Sequence, residues 1–124
     1  MRKMKLLTAE LRRQIPPLGS QNDVEDPMVH CKFFTPDAGW TWYVIEGSAI
    51  RGEEEVPLAQ SDPGTEDDVI FFGLVQGFDV ELGTFSLREL EEVRGPLGLP
   101  IERDMYFEPA PLSVIRRRLK EGQP

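Results

Sequence analysis

The sequence predicts an α+β fold: a mainly antiparallel sheet of four to five strands with two to three short helices packed on it. Three observations carry this reading. Two alternating segments, 28–35 and 40–46, flank the turn Pro36-Asp37-Ala38-Gly39 and read as a hairpin. The most apolar run, Val69 to Phe78, has the length of a central strand. Ser86, three residues ahead of Glu89 and followed by an apolar stripe, is a capping box that opens a helix.

In chain order, Thr8 caps a short helix in which Glu10 sits in the first turn and Leu7, Leu11 and Ile15 share a face. Pro16 and Pro17 stop it, and 18–27 is a polar connection rich in turn formers. In the first strand Val29, Cys31 and Phe33 face one way and His30, Lys32 and Phe34 the other. In the second, alternation places Trp40, Trp42, Val44 and Glu46 on one side and Thr41, Tyr43 and Ile45 on the other. Residues 47–68 hold seven acids, with Arg51 as the only base, and several prolines and glycines. They read as a long, flexible acidic insertion within the hairpin, contributing little to the core.

Gly73 and Gly77 are unusual inside a strand and predict a bulge or the close approach of another element. Residues 79–83 read as the next turn, and Thr84 and Phe85 as a short strand feeding the helix 87–94. Leu87, Leu90 and Val93 of that helix should lie on the sheet, with Gly95 in the left-handed position after its last turn. Ile101 to Phe107 reads as a last extended segment, and Ser113 as the cap of a final helix over 114–121.

The chain's 124 residues suffice for one domain, 1–124, with a single modest core. No apolar run is long enough to span a bilayer, and the first residues lack a signal peptide's apolar stretch. The expectation is therefore a cytoplasmic protein with no membrane partner. Cys31 stands alone, which excludes an internal disulfide and a cysteine-cage zinc site. The net charge of −8 is unevenly spread. Residues 1–13 carry Arg2, Lys3, Lys5, Arg12 and Arg13 against Glu10, and residues 112–124 carry Arg116, Arg117, Arg118 and Lys120 against Glu121, so an acidic body lies between basic ends. Either the ends offset the body's self-repulsion, or they touch a polyanion.

No motif assigns a catalytic residue, a metal or a cofactor. His30, the sole histidine, and Cys31 are adjacent in a strand and cannot readily act together, so both are read as structural. Arg94, Glu102, Arg103 and Asp104 are the candidate binding residues. Glu102 and Asp104 should share a face, where they either form a salt-bridge set or join Asp79, Glu81 or Glu89 as a magnesium or acid/base site. The aromatics of the sheet have only Lys32 among them and are read as core, not as a stacking surface for nucleic acid.

A resemblance covers most of the chain. It rests on Lys5-Leu6-Leu7-Thr8 with Pro16-Pro17-Leu18, on Phe33-Phe34-Thr35-Pro36 with Trp40-Thr41-Trp42-Tyr43, and on Phe72-Gly73 through Gly77-Phe78. It continues through Glu81-Leu82-Gly83, Phe85-Ser86-Leu87, the run from Arg94 to Asp104, and Tyr106-Phe107. In these residues the sequence resembles a family of small bacterial proteins known as a domain of unknown function, found on plasmids, integrated elements and phage-related islands. The acidic stretch 47–68 looks longer than the family's usual link. The resemblance implies a role in mobile-element biology and brings no catalytic residue with it.

The expected function is that of a non-enzymatic binding or accessory protein with a protein partner, including counter-defence by an acidic body that imitates nucleic acid. The alternatives are a metal-dependent enzyme built on Glu102 and Asp104, and a nucleic-acid binder using the basic ends.

Overall fold

The computed structural model describes residues 4–122, so Arg2 and Lys3 of the basic N-terminal end lie outside the described residues. It contains α1 (Ala9–Gln14), β1 (Met28–Val29), β2 (Cys31–Phe34), β3 (Thr41–Arg51), β4 (Glu54–Pro57), β5 (Asp68–Gln76), β6 (Val80–Ser86), α2 (Leu87–Glu92), β7 (Glu102–Arg103), β8 (Ala110–Pro111) and α3 (Leu112–Lys120). The main sheet is antiparallel, with strand order β6-β5-β3-β2-β7 and β4 added on β3. A separate pair joins β1 to β8. The mixed α and β antiparallel architecture agrees with the sequence reading, but the sheet has six strands, not four or five.

Most of that difference lies in 47–68. The stretch is not a long loop: β3 runs on through Arg51 and turns back as β4, with Ser48 opposite Pro57 and Arg51 opposite Glu54. Two 3-10 turns, Leu58–Gln60 and Pro63–Thr65, then lead into β5. Ala49 and Leu58 are buried in the core, so a handful of apolar side chains anchors a segment whose composition is that of a loop. Its acids also serve the interior. Glu66 grips the buried guanidinium of Arg12 through both carboxylate oxygens, at 2.5 and 2.9 Å, and accepts from Ser61 Oγ at 2.6 Å. Arg12, one of the bases of the N-terminal end, is thereby committed inside the molecule and is not a polyanion contact.

The sheet has two buried faces. On the first, Leu6, Leu7, Ile15 and Leu90 cover Cys31, Phe33, Trp42, Val44, Phe71 and Phe85. On the second, Ile115 of α3 covers Tyr43, Ile45 and Leu74, next to Val29 and Ala110 of the small β1–β8 pair. A bulge separates the two halves of β3. Val44 lies opposite Gly73 and Glu46 opposite Phe72, which leaves Ile45 as the extra residue. The bulge shifts the side-chain alternation by one, so Glu46 does not share the face of Trp42 and Val44 as simple alternation requires. It is buried beside the 18–27 connection, accepting from Gly19 N and Gln21 N at 3.0 and 2.7 Å, while Ser48 Oγ accepts from Leu18 N.

Gly73 is where β5 meets this bulge, and a Cβ there would lie 1.8 Å from the carbonyl oxygen of Tyr43. The two strand glycines therefore mark close approaches, as expected. Other local signals were displaced. The turn before β6 is confined to 77–79, because Val80 to Glu81 already pair with β5. α2 is capped by Ser86 Oγ accepting from Glu89 N at 3.1 Å, but it ends at Glu92, so Gly95 is not its left-handed cap; Gly98 has the positive φ, 77°. α3 starts at Leu112, and its cap comes from a distant carboxylate: Asp26 accepts from Ser113 N and Ser113 Oγ at 2.9 and 2.6 Å.

Gly73→Ala should therefore destabilise the protein by about 3 kcal/mol, because backbone has to move. A shift of the urea midpoint at unchanged m-value measures this. Removing Glu66 by Glu66→Ala strands the Arg12 charge and should cost about 3–5 kcal/mol. Burial alone would raise the Glu66 pKa, yet the hydrogen bonds from Arg12 and Ser61 and the charges of Arg12 and Arg51 outweigh it, and the net value lies below the ordinary 4.5. Its contribution is thus complete above pH 4.5 and fades as pH falls through the lowered folded-state value. Urea unfolding of wild type and Glu66→Gln should show a stability gap at neutral pH that narrows in acid.

Candidate functional site

The β2–β3 turn builds one end of the molecule. Thr35 N donates to Trp40 O at 2.9 Å and Thr35 Oγ1 accepts from Trp40 N at 2.8 Å, closing a turn in which Gly39 takes a φ of 77°. Trp40 leaves this turn stacked on Trp42, with centroids 6.0 Å apart, and takes the ring of Phe78 edge-on at 5.4 Å. Only glycine fits at position 77, where a Cβ would lie 2.3 Å from the Trp40 ring. The same turn is tied to the connector after α2. Asp37 accepts from Leu97 N at 2.7 Å and presses against Gly95, where a Cβ would lie 1.7 Å from its carboxylate.

Between turn and connector runs an apolar groove of about 330 Å³, lined by Ala38, Trp40, Trp42, Val93 and Pro96 with Arg94 at its rim. Phe78, 95% exposed, stands beside it, and Leu97 of the connector is also largely exposed. A second depression of about 370 Å³ shares Thr35 and Trp40 with the groove and is lined by Met4, Phe34, Glu102, Arg103, Asp104 and Tyr106. The four residues singled out from the sequence thus line two adjoining hollows, with Glu102, Arg103 and Asp104 together in one and Arg94 across Trp40 in the other.

Most of their polar groups are engaged locally. Arg94 donates to the carbonyls of Glu91 and Val93 at 3.0 and 2.8 Å, closing the end of α2. In β7, Glu102 pairs with Phe34 and Arg103 with Phe33, so the two acids share a face and Arg103 opposes them. Arg103 donates to the carbonyls of Lys5 and Leu6, strapping the N-terminal segment to the sheet. Asp104 accepts from Tyr106 N at 2.9 Å and lies 3.8 Å from Lys32 Nζ. The Glu102 carboxylate has no hydrogen bond or ion pair among the described residues. A joint metal site with Asp79, Glu81 or Glu89 is not formed: β7 and β6 are opposite edges of the sheet, and among the described residues no three His, Cys, Asp or Glu side chains are grouped to hold a metal.

Cys31 lies in the core and its burial, only partly opposed by the Arg103 charge, pushes the thiol up to about 12. His30 is half-buried, and desolvation lowers its pKa. Neither is arranged as a nucleophile or base. At the basic C-terminal end, Arg116, Arg117 and Arg118 are exposed along α3. The presented Phe78 escaped the sequence reading, which took the aromatics as core; that holds for Phe33, Trp42, Tyr43 and Phe71. The signal lay in Gly77-Phe78, a glycine that admits a neighbouring ring followed by an aromatic just past a strand end.

A family model described as "Protein of unknown function (DUF2958)" matches residues 6–119, and the chain belongs to this family. No curated protein and no solved structure matches it. Among the described residues no helix is long and apolar enough to cross a membrane.

With its thiol protonated at pH 8 and covered by core side chains, Cys31 should react with a disulfide reagent only through unfolding. Labelling should be negligible in buffer and complete in denaturant.

Proposed function

We propose that this DUF2958 protein is a non-enzymatic accessory protein of a bacterial mobile genetic element, working in the cytoplasm by occupying a protein partner. The observation that carries the reading is the exposure of Phe78 next to an apolar groove. Its ring is almost wholly exposed and meets edge-on the ring of Trp40, which lines that groove. Exposed aromatics next to an apolar hollow are the anchors that protein interfaces use. Arg94, Glu102, Arg103 and Asp104 would supply the polar rim.

Charge sets the partner's character. The chain is acidic overall, and Glu53, Glu54 and Glu55 are exposed on the β3–β4 hairpin, held there by strand pairing. A basic partner surface fits this, including the nucleic-acid site of a host defence protein, which would make the acidic body a counter-defence decoy. The setting on a mobile element is supported by the resemblance described above. The engaged state of Asp104 and Arg103 favours this reading over catalysis by Glu102 and Asp104.

Affinity capture from the native host tests the proposal. Phe78→Ala should weaken capture of a specific protein by about tenfold or more, while changing stability by no more than about 0.5 kcal/mol. Neutralising Glu53, Glu54 and Glu55 together should weaken binding in low salt and matter less in high salt. Capture indifferent to Phe78→Ala would remove this surface from consideration, and capture of nucleic acid lost on neutralising Arg116 to Arg118 would favour the basic end instead.

A further inference from the structure

Tyr43 sits on β3 facing α3, with 1% of its surface exposed, and its hydroxyl is buried without a protein hydrogen-bond partner among the described residues. A phenylalanine would pack the same ring against Phe107 and Ile115 and avoid desolvating a hydroxyl. The fold itself makes no use of the hydroxyl, and the space beside it is open to a ligand. A cavity of about 230 Å³ lies over Tyr43, bounded by Lys32, Asp104, Tyr106, Glu108 and Arg118. That is far more room than one bridging water needs.

Two cations look into this space. Lys32 Nζ stands 5.8 Å from the centre of the Tyr43 ring and is only loosely held by Asp104, at 3.8 Å. Arg118, in the last turn of α3, has no hydrogen bond or ion pair among the described residues. Arg118 and Asp104 both act on the Tyr43 hydroxyl: burial raises its pKa, Arg118 opposes the rise and Asp104 adds to it. The two acids on the lining differ in their contacts: Asp104 lies 3.8 Å from Lys32 Nζ and accepts from Tyr106 N, whereas Glu108 is exposed.

We propose that this cavity binds the oxyanion group of a small molecule, a phosphate or a carboxylate, through the Tyr43 hydroxyl, Lys32 and Arg118. A phenol, an ammonium and a guanidinium are the donor set such a group takes, the last two with charge assistance. Glu108 then faces the remainder of the ligand and favours a hydrogen-bond donor there. The hydroxyl is covered in this structure, so binding shifts a rim side chain. Arg118, exposed and without a hydrogen bond or ion pair among the described residues, is the side chain that can move. The cavity shares no lining residue with the apolar groove, whereas Lys32, Asp104 and Tyr106 also line the second depression beside it.

The test is chemical-shift titration of the whole chain with inorganic phosphate and, in parallel, acetate, both in the millimolar range. The expected result is a saturable response at Lys32, Tyr43, Asp104 and Arg118 in at least one arm, the responding arm identifying the group. Tyr43→Phe should weaken it about tenfold or more while leaving the thermal midpoint unchanged or raised, and Arg118→Gln, a change on the surface, should weaken it likewise. Three outcomes overturn the proposal: no saturable response to either anion, a response equally large at Arg116 and Arg117, or wild-type affinity in both variants.

Discussion

The bulge in β3 opposite Gly73 is the constraint on which the rest of the structure depends. β3 and β5 are the two longest strands and the interior of the sheet, and every covering element rests on what they present. Up to Val44 the alternation sends Trp42 and Val44 to the first face and Tyr43 to the second. Continued without interruption it would place the Glu46 carboxylate among Phe71 and Leu58. The extra residue, Ile45, turns Glu46 instead toward the backbone donors of Gly19 and Gln21, where a buried carboxylate has partners. The bulge needs space on the facing strand, and the missing side chain of Gly73 provides it.

Much of the fold was legible in the sequence because it is written in local chemistry. The proline-glycine turn, the Ser86 and Thr8 caps and the strand glycines each have a physical reason confined to a few neighbouring residues, although of the capping box only the Ser86 half forms among the described residues. What was not legible depends on distant partners. The stretch 47–68 looks like a loop because its charges dominate its composition, and Glu66 becomes interior only because Arg12 arrives from α1. Gly95 looks like a helix cap, but Asp37 on another turn claims the space beside it. Asp26 displaces Ser113 as the cap of α3 for the same reason. At the candidate site, the shared face of Glu102 and Asp104 follows from the strand period, whereas the binding of Arg103 to the N-terminal segment joins opposite ends of the chain and has no local trace.

Charge in this protein is used in two ways that composition does not separate. Arg12, Glu46, Glu66 and Arg103 hold elements together through hydrogen bonds that offset part of their desolvation, Arg12 Nε being left without a partner among the described residues. Glu53, Glu54, Glu55 and the arginines of α3 are left on the surface, where they set the field a partner meets. The acidic body and basic ends are therefore partly an internal arrangement and partly an external one, and only the second kind bears on recognition.

The order of the elements along the chain has a consequence for how the protein is made. β3 and β5 can pair, and the first face can be covered by α1 and α2, before β8 and α3 have been synthesised. The second face cannot: Ile115 and the β8 partner of β1 follow all of these in the sequence. Until then Tyr43, Ile45 and Leu74 lack the cover that α3 gives them, and uncovered apolar sheet is the kind of surface that favours association. Closing that face joins residues far apart in the sequence, Val29 with Ala110 and Tyr43 with Ile115, which is the slow, non-local kind of contact.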